Sequence, residues 1–138
     1  MSQSILSREV RRRSRGLVAW SALLLGLLVV HALDHALRQE AAVPAGTSAV
    51  GAAGFLAVLL VLGLAVAGHP LAPAATAFVG FATAAGFLAL HVLPDWGPFS
   101  QPYSDIPVDD LSWVAMVVPA VSGLVIGGVG LSRLRRAG

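Results

Sequence analysis

His31, Asp34, His35 and Arg38 stand at offsets of three, four and seven. In a helix these offsets place all four side chains on one face. Two imidazoles at i and i+4 offer two nitrogens to a single metal ion. A third histidine, His91, lies in another apolar stretch, followed directly by Pro94, Asp95 and Trp96. Nitrogen and oxygen donors without thiolate suit zinc or copper(II). The candidate ligand set is therefore His31, His35, His91, Asp34 and Asp95, with Asp34 alternatively orienting an imidazole. A pair such as His91 with His31 or His35 would also serve as axial ligands of a b-type haem. A third use is purely structural. Asp34 and Arg38 make an ordinary helical ion pair, and the cluster would then clamp the outer loops to the bundle. The residues leave all three uses open.

The elements that carry these residues follow from composition. The chain has 138 residues, 57% of them hydrophobic and 12% charged, with a formal net charge of +2. A domain this small cannot hide so much apolar surface in a soluble core. A soluble enzyme, a disordered protein and a nucleic-acid-binding domain are thereby excluded, and the lipid bilayer becomes the expected surrounding. Without cysteine there are no disulfides, thiolate sites or iron–sulfur clusters.

Four apolar stretches reach the roughly 20 residues a helix needs to cross a bilayer. They cover about 16–37, 48–68, 71–93 and 111–132, with a proline-rich outer loop at 94–110. Strand-like alternation is absent, which leaves helices as the way to satisfy the backbone in lipid. The expected fold is an all-α, integral membrane four-helix bundle, residues 1–138 forming a single domain. The basic n-region and apolar run at the N-terminus are expected to stay as an uncleaved first helix, because the run is too long for a signal peptide. Thr47 or Ser48 is expected to cap the second helix, and Asp109 or Asp110 the fourth. Gly123 and Gly127, Ala82 and Gly86, and Gly63 and Ala67 have the spacing of close helix contacts. Pro119 is placed to kink the fourth span.

All nine basic residues are arginine. Arg8, Arg11, Arg12, Arg13 and Arg15 precede the first span, and Arg133, Arg135 and Arg136 follow the last. By the positive-inside rule both termini are cytoplasmic and the acidic 94–110 loop lies outside. Heavy alanine, glycine and arginine use suggests a bacterial source, hence a multi-pass protein of the bacterial cytoplasmic (inner) membrane. Counting about 1.5 Å per residue from Arg15, His31 stands about 24 Å and His35 about 30 Å across. His91 comes out at the same level from the inner edge of its own span. The cluster thus lies at the outer edge of the membrane. Asp34 is too near that edge for a proton-driven exporter. Trp96, Phe99, Tyr103 and Trp113 fit an outer aromatic belt. His69, in the Gly68-His69-Pro70 turn, is expected to be interfacial.

The runs Gly86–Ser100, His31–His35 and Gly68–Pro73 resemble segments of small four-span membrane proteins of actinobacteria, a group with no assigned activity. The resemblance implies the four-span fold and carries over no catalytic or binding residue. Ser21, Thr83 and Ser122 are expected to bond back to their helices, and no nucleophile stands beside a base. The reading is a small membrane protein without a catalytic centre of its own. Its alternatives are a copper, zinc or haem protein in metal handling or electron transfer, and an accessory subunit docking to other membrane proteins or to a second copy.

Overall fold

A computed structural model describes residues 3–136, with side chains from Arg15 onward. Arg8, Arg11, Arg12 and Arg13 lie outside the residues whose side chains are described. The chain is all-helical: α1 (Gln3–Leu37), α2 (Ala45–Val66), α3 (Ala72–His91) and α4 (Asp110–Arg135). Each helix carries a stretch long and apolar enough to span a membrane, in α1 from Arg15 to Leu37. Neighbours in sequence pack side by side, α4 closes the ring on α1, and α1 and α3 face each other across the short diagonal. The termini of the bundle consequently lie at the same end, and α1 and α3 both finish at the opposite one.

The outside is apolar. Leu33, Leu56, Leu60, Phe78, Val121 and Leu124 are exposed, whereas Ser21, Asp34, Thr76, His91 and Ser112 are buried. This inversion suits lipid, in which apolar side chains gain nothing by leaving the surface and helices associate through close packing and polar contacts. The tightest contact joins α3 to α4. A Cβ on Gly80 would lie 2.4 Å from the backbone nitrogen of Gly127, and one on Gly123 would lie 2.7 Å from the carbonyl of Gly80. The expected face at Gly123 and Gly127 is therefore an interface, and its counterpart on α3 is Ala77, Gly80 and Ala84. The other two pairs differ from expectation. Ala82 and Ala67 are exposed, and Gly63 has no neighbour within 4 Å of a Cβ. Small residues suit lipid-facing positions as well as contacts, so spacing alone does not separate the two.

Helix ends follow local chemistry. α2 closes in a Schellman motif: His69 donates its amide to Leu64 at 2.9 Å and Gly68 to Ala65 at 3.1 Å, with Gly68 at φ +64. Asp109 caps α4 by accepting from the Ser112 amide at 2.9 Å. α2 starts at Ala45, so Thr47 sits inside the first turn and does not cap it. Its amide donates instead to the carbonyl of Pro98 in the 94–110 loop, at 3.2 Å. That approach requires Gly46, since a Cβ there would lie 2.3 Å from the same carbonyl. α4 continues unbroken through the buried Pro119.

Candidate metal centre

His31 and His35 lie one turn apart near the end of α1, and His91 is the last residue of α3. The diagonal packing of α1 against α3 brings all three together. Ring centroids are 4.6 Å apart for His31 and His35, 5.2 Å for His31 and His91, and 5.4 Å for His35 and His91. One nitrogen from each falls within 4.8 Å of the others. Metal–nitrogen bonds of about 2.0–2.1 Å would set these atoms about 3.3 Å apart at a tetrahedral ion, closer than the 4.8 Å that bounds them here. Phe87 closes the floor, with its ring 4.7 Å from that of His31. Rings in such mutual contact leave no slot for a macrocycle between them.

Each imidazole is held from outside by one nitrogen. The Nδ1 of His91 lies 3.2 Å from the carbonyl oxygen of Gln101 and donates to it. The Nε2 of His35 lies 3.4 Å from the Tyr103 hydroxyl, beside the Gln39 side chain. His31 faces the backbone of Ala115 on α4. The Ala115 carbonyl is four residues before Pro119, which has no N–H to donate to it. The helix thus leaves that carbonyl without its helical donor on the side of His31. On the inner side, the Nδ1 atoms of His31 and His35 are buried without a partner. Buried polar atoms are almost always satisfied, so two orphaned imidazole nitrogens at one point require an explanation.

The two candidate carboxylates lie outside this group. Asp34 is buried and accepts from Ser112 Oγ at 3.1 Å, Arg38 Nε at 3.1 Å and Gln39 Nε2 at 2.9 Å. Arg38 also pairs with Asp109. Asp34 therefore ties the end of α1 to the start of α4, with two donors on Oδ1 and one on Oδ2. Asp95 is exposed in the loop that follows α3, where its carboxylate accepts from the Gly97 amide at 2.9 Å and Ser100 Oγ at 2.8 Å. These two bonds, the Gly97 amide first, hold its carboxyl below the usual carboxylate range. Asp109 is held low mainly by the Ser112 amide, then by the Arg38 guanidinium. Clamp and histidine cluster thus exist side by side on different residues. His69 is exposed in its turn, far along the chain from the others, and its Nδ1 accepts from the Leu71 amide at 3.2 Å.

Tyr103 departs from expectation. It is 2% exposed and is no part of an aromatic belt, unlike Trp96, Phe99 and Trp113, which remain exposed. The 94–110 loop turns back over α3 through bonds from Gln101 to Leu90 at 2.7 Å and from Tyr103 to His91 at 2.9 Å, both amide to carbonyl. This carries the Tyr103 ring to 4.8 Å from His91 and 6.0 Å from His35. Burial pushes its phenol up to about 12, against the hydrogen bond from Gln39, so the hydroxyl keeps its proton. Gln39, at i+4 from His35, was open to discovery from spacing. Tyr103 and Gln101 were not, because no periodicity governs the path of a proline-rich loop. Thr83 bonds back to its helix as expected, and Thr76 does the same, whereas the buried Ser21 hydroxyl has no partner.

Comparison with protein-family models, with curated proteins and with solved structures returned no match.

Proposed function

We propose that this multi-pass membrane protein holds one divalent transition-metal ion, zinc or copper(II), at the outer end of its bundle. The ligands are His31 Nδ1, His35 Nδ1 and His91 Nε2. One observation carries the reading: one nitrogen from each of the three imidazoles lies within 4.8 Å of the others, His91 and His35 each have their other side set against Gln101 or Tyr103, and the Nδ1 atoms of His31 and His35 are buried without a partner. Metal-bound histidines characteristically have the opposite nitrogen fixed in this way by a carbonyl, carboxylate or hydroxyl. Three neutral nitrogens leave a fourth position for water or an exchangeable donor. Asp34, one Gln39 amide away from Tyr103, offsets the charge of the ion without touching it. We place the protein in a bacterial cytoplasmic membrane with both termini inside. That placement is supported by the arginines at the chain ends, their near absence between spans and the resemblance to actinobacterial proteins.

Elemental analysis by mass spectrometry, on protein purified in detergent without chelator or affinity tag, tests the reading. Near-stoichiometric zinc or copper is expected, and its loss in a His31→Ala, His91→Ala double variant. Only trace metal, or metal retained in that variant, would overturn it.

A further inference from the structure

Next to the histidines is a cleft of about 310 Å³, open to the outer surface between the end of α1 and the start of α4. Arg38, Gln39 and Glu40 line one wall, and Asp109 and Ser112 the other. At about 30 Å³ per water, it accommodates a cation with several of its hydration waters. The wall between cleft and histidines is thin. Gln39 Nε2 donates to the Tyr103 hydroxyl and to Asp34 Oδ2, both at 2.9 Å. The same hydroxyl lies 3.4 Å from His35 Nε2. One amide and one phenol therefore separate the cleft from the nearest imidazole. The Gln39 amide oxygen is itself buried without a partner.

The surroundings favour a cation. Glu40 and Asp109 stand on the rim and Asp34 behind it, against the single guanidinium of Arg38. That guanidinium is engaged by both Asp34 and Asp109. Carboxylates around a cleft with low-dielectric walls concentrate positive ions at its mouth.

Building on the metal reading, we propose that this cleft is the route by which a divalent cation reaches the three histidines from the outer side, with the Gln39 side chain as its gate. Rotation of Gln39 breaks its bonds to Tyr103 and Asp34, and the freed phenol then swings from His35 Nε2 to let the ion pass to the Nδ1 side. The rotation also offers the unpartnered amide oxygen to the ion as water is shed. Return of the amide to Tyr103 closes the wall behind it.

Cobalt(II), followed by its visible ligand-field bands on the full-length protein in detergent, tests the route. The chain has no cysteine, so single thiols report cleanly. A bulky thiol reagent on Pro107→Cys, inside the cleft, slows cobalt loading by about ten-fold or more, as a blocked association path should. The same reagent on Ser104→Cys, exposed on the same loop but away from the cleft, leaves loading unchanged. Glu40→Gln slows loading about two- to five-fold at low salt and by less at high salt. Gln39→Ala releases cobalt to a chelator faster with unaltered bands. Equal loading rates for blocked and unblocked cleft, with bands that still depend on the histidines, would overturn the route and leave the metal site standing. Absence of histidine-dependent bands in the unmodified protein would overturn both.

Discussion

The Nδ1 of His91 and the carbonyl of Gln101 lie 3.2 Å apart, joining the last residue of α3 to the loop that covers it. The bond fixes the ring, assigns its proton to Nδ1 and leaves Nε2 as the nitrogen free to bind. The loop also binds α3 through the amides of Gln101 and Tyr103, so it is a structural part of the site and not a tether. Five expectations follow from this arrangement and from the packing beneath it.

The histidines and the carboxylates separate by substitution. His31→Ala, His35→Ala or His91→Ala removes one of three nitrogens and reduces bound metal below half occupancy. Asp34→Asn and Asp95→Asn retain it, because neither carboxylate joins the imidazole group. Asp34→Asn instead lowers thermal stability, since a charge-assisted bond contributes about 1.5–3 kcal/mol. Metal analysis beside a melting curve distinguishes the two classes.

Tyr103→Phe keeps the buried ring and deletes the hydroxyl that meets His35 and Gln39. Loss of such an outer partner weakens metal binding by about 10–100-fold. Competition with a chromophoric chelator would measure it, and an unchanged affinity would show that Tyr103 only fills space.

Pro119→Ala restores an amide N–H to α4 and gives the Ala115 carbonyl its helical partner. His31 then competes for that carbonyl. Helix propensity favours alanine over proline by about 3 kcal/mol in a helix interior. The variant is expected to melt no lower than the parent while binding metal several-fold more weakly, a combination that general damage to the fold does not produce.

The α3–α4 contact tolerates no added atom. Gly80→Ala puts a methyl 2.4 Å from backbone, which must move, and overpacking of this kind costs about 1–3 kcal/mol. Gly54→Ala meets nothing within 4 Å and gains about 0.5–1 kcal/mol of helix propensity. Thermal denaturation in one detergent should rank Gly54→Ala above the parent and Gly80→Ala below it.

Acid stability follows from the exposed carboxylates. Asp109 and Asp95 are held below their ordinary range in the folded chain by hydrogen bonds. A depressed folded value means stability that is present above the unfolded value and lost as pH falls through the folded one. The midpoint of melting should therefore hold down to about pH 4, the ordinary aspartate range, and fall below it. Asp109→Asn retains a capping oxygen without the charge, so its profile should be flatter there.

The four helices, their order and the common level of the three histidines are legible in the sequence. Each depends on run length and on a fixed rise per residue, which are properties of one dimension. The shared face of His31, Asp34 and His35 is legible for the same reason. It also misleads, because a common face does not decide which neighbour each side chain meets. Asp34 turns to Ser112 and Arg38, while the two imidazoles turn to His91. That division depends on α1 lying beside α4 and diagonal to α3. The burial of Tyr103, the tautomer of His91 and the approach of His31 to Ala115 are likewise set by tertiary structure. They arise where a loop or a second helix crosses the first, and spacing along one chain segment carries no information about that crossing.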